Sequence, residues 1–393
     1  MNNSAPFNRY DYYALLAFAL TAVASIALQN FIWVSIVLFF LSHLKNSEKI
    51  SWPSNLFAMA TVIFLATYII GGIVGINPAK SFQTLHKSLT FLVIFPIGAM
   101  TLSILDIRKL LNFFIAGSTL CAIHGIYVHF ILNQDRIDSF SGDSMVFGGM
   151  LMITVLLIIS LLTTHPKNYW LWTSLGIVFW ALILTQTRGA WLGALAGFSL
   201  LTWRFNKKWL LIGLAIFVFS FFLSPQEFQK RLESIGSIQL TYNEHHEVIG
   251  ASQPRLLIWI SGLRIIKDHP MGVGQGNIED IYHQYRINAP WNDINVPHLH
   301  DNFLQILAQN GWLGLTAYLF WIFSFYFEAL RFKSATEEVA RWNWMFLCVF
   351  SSILVWGLTE YTFSHQFMNI QFFLMGISIL LWEQYSKPKT TRV

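Results

Sequence analysis

Apolar runs of membrane-crossing length follow one another along most of this chain, separated by short polar stretches. A hydrocarbon core about 30 Å thick takes roughly 20 apolar residues per helix, with a range of about 17–25. On that measure the pattern predicts spans at 11–29, 31–44, 56–76, 88–105, 110–132, 145–164, 169–186, 189–204, 208–224, 302–330, 342–360 and 365–384. The second and eighth are short. The run 302–330 is long for one crossing, and Gly311 divides it; the part up to Asn310 is expected as a helix outside the hydrocarbon. One long polar interval, from Pro225 to about Asp301, interrupts the series. The expected division is therefore 1–224 with nine spans, 225–301 as a segment of short helices, and 302–393 with an outer helix and three spans. The fold class is all-α: a polytopic integral membrane protein of about twelve transmembrane helices.

The long interval has its own pattern. SPQEFQKRLESI (224–235) reads as a surface amphipathic helix, and 238–252 as irregular chain. SQPRLLIWISGLRIIKDHP (252–270) has Ser252 as a candidate N-cap, Pro254 in the first turn and apolar residues at helical spacing, ending before Pro270. Arg255 falls in the first turn of that helix. GVGQG (272–276) reads as a hinge whose backbone amides could touch phosphate, NIEDIYHQYRI (277–287) as a second short helix, and 288–297 as a return loop. No strand precedes GVGQG, so it matches neither a Walker loop nor a dinucleotide fingerprint.

Composition fits a lipid-facing surface. Of 393 residues 55% are hydrophobic and 11% charged, against about 25% charged in soluble domains. The 25 Lys and Arg against 20 Asp and Glu are explained by topology rather than by nucleic acid. With the N-terminus in the cytoplasm, fifteen cations fall in inside positions and four (Lys80, Lys87, Arg136, Arg188) in short outside loops. That asymmetry places both termini inside and the long interval outside. The loop bearing Lys80 and Lys87 can touch lipid head groups. Cys121 and Cys348 lie within apolar runs and imply no disulfide or metal site. The first apolar run is long enough to remain as a span, so no cleavable signal is expected.

Polar side chains gather at the outer boundary in WNDINVPHLHDNFLQILAQNGWLG (291–314), where His298 and His300 follow Pro297. Such a cluster beside a membrane points to function. Arg188, in LTQTRGAWLG, and Arg255 stand at the same boundary, and Arg136 lies near a membrane end in the 133–144 loop. Each has an ordinary reading beside the chemical one. Arg188 could be a snorkelling anchor, Arg255 a surface cation on an amphipathic helix, and His300 a hydrogen-bonded core histidine. Positions i and i+2 share no helix face, so His298 and His300 act as one unit only if that stretch is extended; His298 is expected to bind or orient. A His-x-His metal site, with Glu244, His245, His246 and Glu247 as further ligands, is the weaker alternative. No metal and no cofactor are expected.

TQTRGAWLG, SQPRLLIWISG, HPMGVGQGN and HLHDNFLQILAQNGWLG, in this order on a twelve-span chain, resemble the O-antigen ligase family. That family belongs to a larger group with O-antigen polymerases and protein-targeting oligosaccharyltransferases. The most specific element is a His, one polar residue, nine residues and a Gly, met here by His300, Asp301, Asn302–Asn310 and Gly311. The family usually has Asn, Ser or Gln where this chain has Asp301. The resemblance implies a GT-C-like membrane glycosyltransferase, with Arg188 and Arg255 as essential arginines and His300 as the essential histidine. It implies undecaprenyl-pyrophosphate-linked O-antigen as donor, lipid A-core as acceptor, and a site on the periplasmic face of the bacterial inner membrane.

The chemistry is consistent with so few groups. A sugar on a polyprenyl diphosphate already carries a good leaving group, so the paired carboxylates of glycoside hydrolysis are not required. Guanidinium forks match diphosphate oxygens and stay charged, and a neutral imidazole is a suitable base near pH 7. Arg188, Arg255 and His300 are the expected catalytic groups, and Arg188, Arg255, His298 and Arg136 the expected substrate-binding ones; transfer is expected to be metal-independent and to invert the anomeric centre. The alternatives are an O-antigen polymerase, then a protein oligosaccharyltransferase, whose larger C-terminal region has no counterpart in SKPKTTRV. A secondary transporter would tend to show repeats and mid-membrane ionisable sites, and the sequence shows neither.

Overall fold

The computed structural model describes residues 9–45, 52–205, 240–242, 248–251, 254–287, 296–334 and 336–386. The helices are α1 (Arg9–Thr21), α2 (Ile26–Lys45), α3 (Leu56–Val74), α4 (Pro78–Ser88), α5 (Ile94–Ala99), α6 (Ile104–Leu132), α7 (Ser144–Thr164), α8 (Tyr169–Leu184) and α9 (Arg188–Phe205). After the long interval come α10 (Pro254–Asp268), α11 (Ile278–Tyr285), α12 (Asn302–Arg331), α13 (Glu337–Trp356) and α14 (His365–Tyr385). Among the described residues, α3, α6, α7, α12 and α13 are long and apolar enough to cross a membrane. The expected span 208–224 and the expected helix 224–235 lie outside the described residues.

Three regions differ from the sequence expectation, two of them at a polar side chain. The first break falls at 22–25, not at Asn30. Gln29 and Asn30 stay helical because their side-chain oxygens accept hydrogen bonds from Asn369 of α14, at 2.8 and 3.3 Å. The expected span 88–105 is instead a 3₁₀ turn (Leu89–Val93) running into the short α5. The chain then restarts at Ser103, where a reciprocal capping box with Asp106 starts the 29-residue α6. Residues 238–252 are not wholly irregular: β1 (Leu240–Tyr242) and β2 (Val248–Ala251) pair antiparallel.

Hydrogen bonds sort the connections into two groups at opposite ends of the bundle. At one end Arg136 Nε donates to the Thr185 carbonyl at 3.2 Å, Thr187 Oγ1 to that of Ser144 at 2.9 Å, and Lys80 pairs with Asp280 at 2.6 Å. At the other, Arg108 pairs with Glu338 at 2.5 Å, Gln384 donates to the Leu102 carbonyl at 2.8 Å, and Asn55 to Glu383 at 2.8 Å. Within the bundle α12 packs on α3, α13 on α9 and α7, and α14 on α5.

The long helix α12 breaks at Gly311, as the spacing predicts, with φ 64° and ψ −165°. A break strands carbonyls that the next turn would have satisfied. The 270–274 loop supplies them: Val273 N–H donates to Ala308 O at 2.8 Å and Gly274 N–H to Gln309 O at 2.9 Å, while Trp312 N–H turns to Pro270 O at 3.4 Å. GVGQG is therefore a brace for the break. Its Gly272, Val273 and Gly274 amides are spent within the fold, on His269, Ala308 and Gln309 carbonyls. α10, α11 and the first part of α12 share a small apolar core around Ile265, Val273, Ile278, Leu299 and Ala308.

A side chain at Gly311 would meet the Met271 carbonyl carbon at 2.5 Å and the Pro270 oxygen at 2.7 Å. This backbone region is essentially restricted to glycine, so Gly311→Ala is expected to cost roughly 1–3 kcal/mol. A lowered thermal unfolding midpoint of the detergent-solubilised protein checks this; an unchanged midpoint would mean that the helix straightens without loss.

Candidate active site

The first turn of α12 builds the site. Asp301 is its N-cap, with extended backbone and a carboxylate that accepts from Leu304 N–H at 2.7 Å. This gives the residue that departs from the family pattern a definite role, and Asn or Ser would serve as a cap equally well. Burial pushes the Asp301 carboxyl up, against the opposing pull of the Leu304 and Phe303 amides. His300 therefore precedes the helix rather than riding on it. Its φ is +52°, a left-handed conformation uncommon outside glycine and often associated with functional positions.

Leu299 is fully buried, worth about 1.5–3 kcal/mol, and packs against α10 at Gly262. Its backbone N–H donates to Gln305 Oε1 at 2.7 Å. With Leu299 anchored inward, the flanking His298 and His300 both reach the other way. Their ring centroids lie 4.3 Å apart. The stretch is not helical, which brings the two rings side by side.

Both rings meet a residue that the sequence reading placed at the end of a span. Helix α13 stops at Trp356, and the turn beyond it presents Glu360. Glu360 Oε1 lies 2.9 Å from His300 Nδ1, 3.2 Å from His298 Nε2 and 3.1 Å from the Tyr361 N–H. Its Oε2 lies 3.3 Å from Arg255 Nη2. The Glu360 side chain is 7% exposed and that of Arg255 40%. Burial alone would raise the carboxyl, but hydrogen bonds and charge from His298 and His300 outweigh it and hold Glu360 well below the usual carboxylate range. The sequence did hold a signal for it, since an isolated carboxylate at a membrane boundary invites a functional reading.

Asn302 fixes the turn to the helix. Its N–H donates to Gly357 O at 2.8 Å, its Oδ1 accepts from Thr362 N–H at 2.8 Å, and its Nδ2 donates to Thr362 Oγ1 at 2.8 Å. Arg188 opens α9, and its neighbour Gly189 abuts the same turn: a Cβ there would lie 2.5 Å from Thr359 Oγ1 and 2.8 Å from Trp356 Cδ1. Arg255 Nη2 also reaches Met145 Sδ, in the first turn of α7, at 3.6 Å. The N-termini of α7, α9, α10 and α12 thus converge on the Glu360 turn. At two of these ends a carboxylate cap, Asp143 on α7 and Asp301 on α12, already meets the free amides.

The expected groups are placed unequally. Arg255, His298 and His300 share one carboxylate, and Arg188 stands beside the turn that carries it. Arg136 instead binds the Thr185 carbonyl, next to the 185–187 connection that leads to Arg188. The donor atoms of His298, His300 and Glu360 lie within 4.8 Å of one another, close enough for a divalent cation to bridge. Arg255 on the second oxygen opposes a cation there, so the cluster reads as a hydrogen-bonded network. Glu244 to Glu247, the other residues weighed as ligands, lie outside the described residues.

Residues 171–319 match the family model described as O-antigen ligase. The matched stretch contains Arg188, Arg255, His298 and His300 and ends before Glu360. No curated protein matches the chain. The family match covers 149 of the 393 residues and agrees with the resemblance carried by the motifs.

Capping predicts that Asp301→Ala loses about 1 kcal/mol of stability, within a range of roughly 0.5–2, whereas Asp301→Asn retains most of it. Thermal unfolding of the two variants checks this; equal losses would show that the carboxylate charge, not the cap, is what matters.

Proposed function

We propose that this protein transfers an O-antigen polysaccharide from undecaprenyl pyrophosphate to a sugar hydroxyl of lipid A-core, on the periplasmic face of a bacterial inner membrane. The observation that carries the proposal is the attachment of His300 and Arg255 to one buried carboxylate, beside the helix end bearing Arg188. The family domain over 171–319 and the 15-to-4 division of cations predicted from the sequence supply the substrate class and the side of the membrane.

The reaction follows from these groups. The acceptor hydroxyl oxygen attacks the anomeric carbon of the donor from the side opposite the diphosphate, which inverts that centre. As the new C–O bond forms, the bond from the anomeric carbon to the phosphate oxygen breaks, and its electron pair leaves with the diphosphate. His300 Nε2 takes the hydroxyl proton and later releases it to water. Arg255 spends one nitrogen on Glu360 and keeps further N–H donors for phosphate oxygens. Arg188, at the positive end of α9, faces the same charge. Losing one such contact near a low-dielectric boundary is expected to cost about 2.7–4 kcal/mol of transition-state stabilisation, by analogy with lost oxyanion donors. His298 orients the site through Glu360, and Arg136 lines the donor side.

Three outcomes are expected. His300→Ala abolishes transfer while membrane insertion persists, with the base worth roughly 10²–10⁴-fold; normal O-antigen attachment in that variant would remove the base assignment. Arg188→Lys loses most activity because an ammonium cannot make the bidentate contact, and near-normal turnover would reduce Arg188 to an anchor. Purified protein given polyprenyl-diphosphate-linked glycan joins it to lipid A-core, with full activity after chelation. Joining it instead to a second lipid-linked glycan would make the enzyme a polymerase.

A further inference from the structure

We propose that Glu360 is the positioning residue for the base: it selects the His300 nitrogen that meets the acceptor hydroxyl and supplies the counter-charge when that nitrogen takes the proton. The inference rests on the transfer reading above. It concerns a residue outside the sequence motifs and outside the stretch matched to the family.

A carboxylate only accepts hydrogen bonds, and an imidazole can donate only from the nitrogen that carries hydrogen. Glu360 gathers the Nδ1 of His300, the Nε2 of His298, the backbone N–H of Tyr361 and the guanidinium of Arg255. With all four donating, the hydrogen of His300 sits on Nδ1, and its lone pair is on Nε2. The hydrogen of His298 sits on Nε2. The ionised, acceptor-only carboxylate thus sets both tautomers.

The same contact matters during transfer. When His300 Nε2 takes the hydroxyl proton, the ring becomes an imidazolium whose other nitrogen lies 2.9 Å from a carboxylate that is 7% exposed. The charged groups around the ring come from every neighbouring element. His298 and Asp301 lie on its own segment, the latter turned to cap α12; Glu360 and Tyr361 lie on the turn, Arg255 on α10 and Arg188 at the start of α9. Glu360 is the carboxylate among them that touches the ring.

A purely structural role explains less. The turn bearing Glu360 is already held on both sides by Asn302, through the Gly357 carbonyl and the Thr362 N–H. Closing the turn does not require a buried charge, and burying one is a poor source of stability.

The test uses the full-length protein in nanodiscs, polyprenyl-diphosphate-linked glycan as donor and lipid A-core as acceptor, with rates measured across pH. Glu360→Gln keeps an accepting oxygen and loses the charge. Its kcat is expected to fall by roughly 10²–10⁴-fold, the range for a general base, with a near-native thermal midpoint. The acidic limb of its pH–rate profile moves to lower pH, because the protonated ring has lost its counter-charge. Glu360→Asp keeps the charge, recovers part of the rate and retains the native limb. Combined with His300→Ala, Glu360→Gln adds no further loss, as expected for residues acting as a unit.

A native kcat in Glu360→Gln, a rate loss with an unmoved acidic limb, or a further loss on top of His300→Ala would each overturn the inference. If Glu360→Gln does not fold, the Glu360→Asp profile decides, and a displaced limb there counts against it. Full transfer by His300→Ala would instead remove the base assignment on which the inference rests, and absence of transfer by the native protein would sink the transfer reading itself. An inactive His300→Ala beside an unaltered Glu360→Gln sinks only the role given to Glu360.

Discussion

A carboxylate buried at a membrane boundary has to be solvated by the protein, and the arrangement around Glu360 is how this chain does so. Its two oxygens draw donors from the His298–His300 segment, from α10 and from the turn itself. Each donor is thereby fixed in place, because withdrawing it would leave part of a buried charge uncompensated. Groups distant in the chain, at 255, 298, 300 and 360, are held together by one electrostatic requirement. The depressed proton affinity of Glu360 is its thermodynamic trace.

The requirement can be met only because the backbone delivers those donors rigidly. The break at Gly311 makes the first part of α12 a separate platform, braced by the 270–274 loop and resting on the small core of α10 and α11. That platform carries the Asp301 cap and the two Asn302 bonds that set the distance between His300 and the Glu360 turn. The N-termini of α9 and α12 both abut the turn that carries Glu360.

Much of the architecture was legible in the sequence. The apolar runs gave most helices to within a few residues, Pro254 and Asp268 bound α10 as its N-terminal and C-terminal signals suggest, and the Gly311 break followed from the length of one run. The misplaced boundaries share a cause. The effect of a polar side chain depends on its partner: Asn369 keeps Gln29 and Asn30 within a helix, and Asp106 makes Ser103 a start.

The sequence by itself determined that the chain is a membrane protein with its polar chemistry gathered at one boundary, because hydropathy and spacing are local properties of consecutive residues. It also singled out Arg188, Arg255, His298 and His300, since their motifs are contiguous. Only the tertiary structure decided that His298 and His300 lie side by side, that Asp301 is a cap and that Glu360 is their common partner. Those facts depend on a left-handed residue at 300, an inward-facing Leu299 and a turn 60 residues away in the chain. A buried charge is defined by what surrounds it, and the residues surrounding Glu360 come from widely separated parts of the sequence.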